Sequence, residues 1–157
     1  MSAPAPVPLF AFRVGEIRFA VPARAAVRLA TVGAMSPLPQ SPAHVVGLGN
    51  LQGNLTPLID LSQLGEFSEV PSPRRDQALV LEAAGLRAAL FVDEALGHEE
   101  VPAHHLAVLS VEESERFGGR VVGKARLTFG IAWLLHPEVL LRSLRVALRS
   151  PAVQVSP

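Results

Sequence analysis

This chain of 157 residues contains no cysteine and carries no excess of charge of either sign. The absence of cysteine excludes a disulfide framework, thiolate catalysis and a cysteine-type zinc site. Fourteen Lys and Arg residues balance fourteen Asp and Glu residues, so the formal net charge is zero. A neutral chain has no overall field to steer it onto nucleic acid or an anionic membrane. With no cysteine to suggest an oxidising compartment, we expect a cytoplasmic protein.

Long hydrophobic runs are absent as well. The longest apolar stretch near the carboxyl end covers residues 129–135 and stops at His136-Pro137. It is far shorter than the roughly 20 residues that a membrane-spanning helix needs. Residues 1–8 are small and rich in proline, and they lack the basic and apolar regions of an export signal. We therefore expect a soluble protein with a flexible lead over residues 1–8.

Short apolar segments make up much of the chain, and prolines and glycines separate them. Apolar residues account for 49% of the sequence and the mean hydropathy is +0.34, so we expect one folded domain with a sizeable core. Prolines and glycines are densest in residues 37–61, PLPQSPAHVVGLGNLQGNLTPLIDL, where they forbid a long helix. The apolar residues between them still need burial. Short strands joined by tight turns satisfy both conditions.

Three hairpins are predicted where two apolar segments flank a short turn. They join residues 9–14 to 17–21, residues 77–82 to 86–92, and residues 121–126 to 129–135. Residues 45–51 and 54–59 are further strand candidates, whereas residues 65–76 are predicted to form a polar surface loop. Residues 23–29 fit either a short helical turn or another strand. Several short strands with frequent turns indicate a barrel or a sandwich.

The end of the chain has a different pattern, because its apolar residues recur at helical spacing. Between residues 137 and 149 they fall on one face of a helix, with arginines between them. Pro137 suits the first helical turn and Pro151 suits a stop. We expect a helix that packs on the strands with its arginines in solvent, followed by a disordered tail over residues 150–157.

Two glycine-rich segments come close to nucleotide-binding motifs, but neither completes one. Residues 118–125, GGRVVGKA, have the glycine and lysine spacing of a phosphate loop, yet Ala125 replaces the Ser or Thr that holds magnesium. A strand-like segment follows, in place of the helix whose amino end receives the phosphate. In residues 47–53 the third glycine falls one position late for a dinucleotide-binding loop. A small nucleotide-binding enzyme is an alternative that depends on residues 118–124 alone.

The candidate catalytic and metal-binding residues do not form a recognised group. Asp60 and Asp93 each follow an apolar strand, and as a pair they would suggest acid–base work. We favour the alternative, in which each carboxylate caps backbone amides in a turn. The histidines lack the i, i+4 spacing of a zinc-binding helix, and no serine lies in a GxSxG elbow. His44 is predicted to be a surface turn residue, and no metal site is expected.

Taken in order, these segments resemble the CheW coupling-protein family of bacterial chemosensory arrays. The resemblance covers residues 10–141 and is most specific in residues 39–61. Members of that family typically show a proline entry, then Gly-x-x-Asn-Leu-Arg-Gly, and then an apolar-Pro-apolar-apolar-Asp-Leu run. Residues 10–21, 86–93 and 121–141 resemble other parts of the family. Seven residues of the main motif fall in place here: Gly47, Asn50, Leu51, Gly53, Pro57, Asp60 and Leu61.

The resemblance implies a mainly β fold, a single CheW-like domain over residues 9–149. Two five-stranded Src-homology-3-like barrels would lie side by side around a shared apolar seam, with a carboxyl-terminal helix. The implied function is that of a non-enzymatic adaptor without a cofactor, which couples a CheA-type histidine kinase regulatory domain to the cytoplasmic tip of a chemoreceptor. A groove between the barrels would take the receptor's helical tip, and one barrel edge would mate with the kinase.

The resemblance also implies which residues contact partner proteins. It implies neither binding of nucleic acid nor insertion into a membrane. The expected partner-binding residues are Arg28, Gly47, Asn50, Leu51, Gln52, Gly53 and Asp93, and Asp60 is expected to be a structural turn residue. Gln52 stands where the family usually has arginine, and Arg28 falls where it usually has glutamate. Because charges at an interface rim mainly govern partner choice, we expect a divergent coupling protein with its own kinase or receptor. The alternative is a CheW-like module that no longer binds a kinase and scaffolds another motility or polarity protein.

Overall fold

The computed structural model describes residues 4–148 and shows a mainly β chain. Twelve strands lie in this range: β1 Val7–Val14, β2 Ile17–Pro22, β3 Ala26–Thr31, β4 Met35–Ser36, β5 Val45–Leu51, β6 Asn54–Ile59, β7 Gln77–Ala83, β8 Leu86–Phe91, β9 Glu94–Val101, β10 Leu106–Val108, β11 Val121–Leu127 and β12 Gly130–Leu135. Two α-helices accompany them, α1 at Val111–Phe117 and α2 at Pro137–Leu148. Short 3₁₀ turns occupy Ala23–Ala25, Leu61–Gln63, Gly65–Phe67 and Ala103–His105. Within the described range, no helix is long and apolar enough to cross a membrane.

The strands form two sheets, and the second sheet is inserted into the sequence of the first. The first sheet has the strand order β10-β11-β12-β2-β1-β9 and the second has β3-β7-β8-β6-β5-β4. Each sheet contains one parallel pair of strands, β2 with β12 in the first sheet and β6 with β8 in the second. The other neighbouring strands are antiparallel. Each sheet has its own cluster of buried apolar side chains, and we call the sheets the first and the second barrel. The prediction of two five-stranded barrels is confirmed for the ten longer strands. The short strand β10 adds a sixth strand to the first sheet, and β4 adds a sixth to the second.

The three predicted hairpins are confirmed, with boundaries that differ by one or two residues. β1 pairs with β2, β7 with β8, and β11 with β12. β1 begins at Val7, so the first strand includes the last two residues of the predicted lead. Residues 23–29 contain both alternatives, a 3₁₀ turn and the start of β3. α2 follows the predicted helix as far as Leu148, and the predicted tail over residues 150–157 lies outside the described residues.

The largest apolar cluster lies between the two barrels, and we call it the seam. Alternate residues of one strand serve different clusters: on β1, Phe12 and Val14 belong to the seam, whereas Leu9 and Ala11 belong to the interior of the first barrel. β2, β7 and β8 alternate in the same way. A strand that is buried on both faces needs apolar residues at every position, which explains the continuous apolar run of residues 78–81.

The loop predicted at the surface closes one side of the seam. Phe67 is only 2% exposed, and its ring centre lies 5.8 Å from that of Phe19 and 5.4 Å from that of Phe117. Val70 is buried in the same cluster. The prediction of a surface loop over residues 65–76 is therefore wrong at these two positions, because two apolar side chains anchor an otherwise polar segment. α2 covers another part of the seam with Leu140, Leu141 and Leu144.

The short strand β4 runs close against β5, and a glycine makes this approach possible. A Cβ atom at Gly47 would lie 2.6 Å from the carbonyl oxygen of Ser36. Because Cβ atoms do not come so close to a backbone oxygen, any side chain at this position would push β4 away from β5. Gly47 therefore shapes the edge of the second barrel.

We expect Phe67→Ala to lower the free energy of unfolding by about 3–5 kcal/mol, because removal of a buried ring leaves a cavity in the seam. Urea unfolding followed by circular dichroism measures this change. Ser68 is the exposed neighbour, and Ser68→Ala serves as the control, with an expected change of less than about 0.5 kcal/mol. Small, equal effects of the two replacements would show that the segment does not anchor the seam.

Gly47→Ala should lower the free energy of unfolding by about 1–3 kcal/mol, because the added methyl group forces β4 and β5 apart. Gly33→Ala is the matched control, since a Cβ atom there meets nothing within 4 Å. Both replacements remove the same freedom from the unfolded chain, so the difference between them isolates the contact with Ser36. If the two variants unfold at the same urea concentration, the close approach at Gly47 does not constrain the fold.

Candidate partner-binding site

The most specific sequence motif forms the turn between β5 and β6. Gln52 and Gly53 both have positive φ, 52° and 86°, which is the geometry of a two-residue hairpin turn. The side-chain oxygen of Asn50 accepts a hydrogen bond from the amide of Gly53 at 2.9 Å and holds the turn closed. Asn50, Gln52 and Gly53 are exposed, whereas Leu51 is buried in the second barrel. The tip of the turn is thus accessible to a partner, and a contact there stays a prediction.

Arg28 lies on β3, the edge strand of the second barrel, next to a β-bulge. The register shifts between Ala26 and Arg28, so Val27 is the extra residue of the bulge. Arg28 pairs with Val80 across the ladder, which places both side chains on the face that lines the interior of the second barrel. Nε and Nη2 of Arg28 are buried and have no hydrogen-bond partner in the described structure. Among the described residues, no hydrogen bond or ion pair joins Arg28 to Gln52.

Asp93 connects three segments of the chain. One of its carboxylate oxygens accepts a hydrogen bond from the amide of Gly15 at 2.5 Å, and the other accepts one from the amide of Arg74 at 2.9 Å. The amide of Asp93 donates to the carbonyl oxygen of Arg13 at 2.9 Å. Asp93 therefore braces the β1–β2 turn against the loop before β7. Since both oxygens are engaged within the chain, a contact with a partner stays a prediction.

Asp60 is fully buried at the end of β6. Its Oδ1 accepts hydrogen bonds from the amide and the hydroxyl of Ser62, at 2.9 and 2.6 Å. Its Oδ2 lies 3.1 Å from Nη2 of Arg75. These are the contacts of a carboxylate that caps a turn. The carboxylates of Asp60 and Asp93 thus accept hydrogen bonds in two separate turns.

A groove of about 420 Å³ opens between the two barrels beside the start of α2. The first barrel contributes Val122 and Leu135, and the second contributes Ala83 and Ala84. Walls that combine apolar and polar groups in about equal measure suit an amphipathic helical segment of another protein. The charged residues that line the groove are Arg24, Glu82 and Glu138.

The open edges of both sheets carry exposed apolar side chains. β10, at one end of the first sheet, exposes Val108, and α1 exposes Val111. β3, at one end of the second sheet, exposes Val27 and Leu29 at 39% and 40%. An edge strand has backbone N–H and C=O groups without a strand partner, so another chain can dock there.

The segment that resembles a phosphate loop has a different role in the structure. Gly118 ends α1 in the left-handed conformation with φ of 55°, and Gly123 and Lys124 lie within β11. The ammonium group of Lys124 lies 2.8 Å from the carboxylate of Glu113 and 5.2 Å from the ring centre of Trp133. The order helix, turn, strand is the reverse of a phosphate-binding loop, so the structure does not support the nucleotide-binding alternative.

The histidines near β9 make ring contacts. His98 packs edge-on against Phe10 with ring centres 4.9 Å apart, and His104 packs against His105 at 4.5 Å. Within residues 4–148, no group of three or more His, Asp and Glu side chains is placed to hold a metal ion.

Sequence reasoning missed a mostly buried ion pair at the seam, Glu66 with Arg120, and a buried histidine, His44, on which both charges act. The prediction of a surface turn residue at His44 is wrong, because the side chain is only 8% exposed. Oε1 of Glu66 lies 2.7 Å from Nη1 of Arg120. Burial and then the charge of Arg120 lower the pKa of His44, while Glu66 acts in the opposite direction. The three residues are far apart in sequence, so no local pattern indicates that their charges interact.

Known proteins share parts of this sequence. The profile of the CheW-like domain matches residues 8–145. Protein FrzA of Myxococcus xanthus is 28% identical over 93 residues, which cover 59% of this chain and 58% of FrzA. Chemotaxis protein CheW of Rhizobium meliloti (strain 1021) is 37% identical over 67 residues, which cover 42% of this chain and 43% of that protein. The chain therefore aligns with about half the length of these relatives.

The fold also has a counterpart among solved structures. The scaffolding protein TtCheW of Thermoanaerobacter tengcongensis is similar with a TM-score of 0.69, over 83% of this chain and 89% of its own. The two sequences are 18% identical, so this likeness concerns the fold alone. With two barrels side by side, a groove between them and a family match over residues 8–145, the chain belongs to the CheW-like domain family.

Proposed function

We propose that this protein is a non-enzymatic adaptor of a bacterial chemosensory complex, which couples the regulatory domain of a CheA-type histidine kinase to the cytoplasmic tip of a chemoreceptor. The observation that carries the proposal is the groove between two barrels, in a chain of the CheW-like family. The similarity to a chemotaxis protein of Rhizobium meliloti supports it. An adaptor between these partners works in the cytoplasm.

The groove between the barrels is the proposed site for the receptor tip. A helix docks when its apolar stripe fits between apolar walls. Val122 is 44% exposed on one wall, and the small side chain of Ala83 on the other wall leaves room for close approach. Glu82 and Arg24 would then orient the helix through its charges.

The second barrel is the proposed site for the kinase. Its edge strand β3 presents Val27 and Leu29, and its β5–β6 turn presents Asn50 and Gln52. Edge docking supplies backbone hydrogen bonds, while the exposed side chains select the partner. We therefore assign the two partners to different surfaces of the molecule.

Gln52 supports the proposal of divergent partner choice. It is exposed at the tip of the β5–β6 turn, where the family usually has arginine. Arg28 lines the interior of the second barrel, so a docked partner does not reach its buried nitrogens. The proposed kinase surface therefore has no acidic residue opposite the neutral Gln52.

A CheW-like scaffold without a kinase is the second candidate, and the residues at positions 28 and 52 are the observations that favour it. Affinity purification of the tagged protein from its own cells distinguishes the two candidates. The adaptor co-purifies with a histidine kinase, whereas the scaffold co-purifies with motility or polarity proteins and no kinase.

Val122→Arg should weaken binding of a receptor-tip fragment by at least about tenfold, because it places a long charged side chain on an apolar wall. Fluorescence polarisation with a labelled fragment of a receptor from the same cells measures the affinity. Val111→Arg is the control, since Val111 is exposed and does not line the groove. Equal losses for both variants, or no loss for Val122→Arg, would contradict receptor binding in the groove.

Gln52→Arg should weaken binding of the kinase regulatory domain roughly two- to fivefold, because exposed charge contacts are worth about 0.2–1 kcal/mol. The added guanidinium meets a surface matched to a neutral side chain. Titration calorimetry at low and high salt measures the affinity and its salt dependence. Gln40→Arg is a close control, since Gln40 is also exposed and has a positive φ of 59°. An unchanged affinity of Gln52→Arg would remove Gln52 from the interface.

A further inference from the structure

Arg24 stands on the short connection that leads from the first barrel to the second. It lies in the 3₁₀ turn Ala23–Ala25, between β2 of the first barrel and β3 of the second. Ala25 is buried and anchors the turn, whereas Arg24 is exposed. Its neighbours within residues 22–26 are proline and alanine. The guanidinium of Arg24 is therefore the only charged side chain on this connection.

Arg24 lines two cavities that share a wall. One is the groove of about 420 Å³ between the barrels, and the other, of about 400 Å³, continues along the turn between β7 and β8. Glu82, Ala83 and Ala84 line both cavities as well. Ala84 and Gly85 form that turn, with positive φ of 52° and 76°. We call the two cavities together the trough, and Arg24 lies where they meet.

The acidic side chains that line the trough already have basic partners. Nε of Arg87 donates a hydrogen bond to Oε1 of Glu82 at 2.6 Å, and Arg142 is paired with Glu138. Glu138 also lies in the first turn of α2, where its negative charge offsets the partial positive charge of the helix end. The acidic groups of the trough are therefore compensated within the chain.

Arg24 has no such partner. Within residues 4–148, no hydrogen bond, ion pair or ring contact engages its guanidinium, although most other basic side chains of this range are paired with a carboxylate. His136 adds no charge to the trough while its Nδ1 accepts a hydrogen bond from the amide of Val139 at 3.3 Å. In the described part of the chain, the trough thus carries one positive charge that no opposite charge balances.

A helix that docks in the trough takes water away from this guanidinium. That loss of hydration costs free energy unless a group of opposite charge replaces the water. An aspartate or glutamate on the helix can accept two parallel hydrogen bonds from a guanidinium, whereas a lysine or arginine at the same point is repelled. Arg24 therefore discriminates between helices that fit the walls of the trough equally well.

We propose that Arg24 determines which helix the trough accepts, and that the partner helix carries an aspartate or glutamate at the edge of its apolar stripe, opposite Arg24. The proposal rests on the docking of a receptor-tip helix in the groove and adds the charge that this helix carries. An ion pair at one point of the contact also fixes the direction in which the helix lies, because the reversed helix places its carboxylate elsewhere.

Charge reversal on both sides of the contact tests the proposal. Fluorescence polarisation with a labelled receptor-tip fragment from the same cells measures the affinity. Arg24→Gln should weaken binding about two- to fivefold and Arg24→Glu at least about tenfold, because the first removes an attraction and the second adds a repulsion. In a set of fragments with one acidic residue at a time replaced by lysine, one should bind Arg24→Glu more tightly than it binds the parent protein.

Arg126→Glu is the matched control. Arg126 is exposed on β11, does not line the trough, and has no ion-pair partner among the described residues. Its replacement changes the net charge by the same amount, and its affinity for the fragment should equal that of the parent protein. Both Arg24 variants should unfold at the same urea concentration as the parent protein, because Arg24 has no hydrogen bond or ion pair in the described chain to lose.

The outcomes separate this proposal from the docking on which it rests. If Val122→Arg loses affinity and Arg24→Glu does not, the helix docks in the groove but Arg24 does not select it, and the present inference alone is overturned. The same holds if Arg24→Glu weakens binding and no lysine-containing fragment restores it. If the fragment does not bind the parent protein, or neither replacement changes its affinity, the groove is not the receptor site and both proposals fail.

Discussion

Apolar packing between the two barrels is the interaction on which the rest of the structure depends. β1, β2, β7 and β8 each bury one face inside a barrel and the other face in the seam, so either barrel alone would expose the apolar seam face of its strands to water. Phe12 and Phe19, with ring centres 5.6 Å apart, belong to the seam. Full burial of such a side chain is worth about 1.5–3 kcal/mol, against about 0–1 kcal/mol for an exposed ion pair such as Arg116–Glu69. The groove exists because two barrels joined along this seam leave a gap between their surfaces beside α2.

The sequence predicts the elements of this fold well where the pattern and the contact are both local. A hairpin needs only two adjacent apolar segments and a turn, and Gly15 and Gly53 occupy the positive φ values that their turns require. α2 is predicted for a similar reason, since helical spacing is visible within a dozen residues. For strands that are buried on both faces, the pattern does not show which side chains face the seam and which face the barrel interior. Residues 78–81, for example, are apolar throughout.

The errors concern residues whose surroundings come from distant parts of the chain. Phe67 and His44 have polar or proline-rich neighbours in sequence, but the groups that act on them lie far along the chain. The ring of Phe67 packs against Phe117, and the charge of Arg120 acts on His44. The candidate site shows the same limit. The motif identifies the exposed turn at Gln52, but the groove wall is formed by the mutual placement of two barrels, which no local pattern encodes.

The insertion of the second barrel between β2 and β9 has a consequence for biosynthesis. The β1–β2 hairpin leaves the ribosome first, but its sheet neighbours β9 and β12 are translated only after the entire inserted barrel. During this interval the nascent hairpin carries Phe12 and Phe19 without their final cover, which is the kind of surface that chaperones recognise. Strands β3–β8 are all translated before β9, so we expect the inserted barrel to complete first. Its apolar seam face would then be the surface on which the interrupted barrel closes.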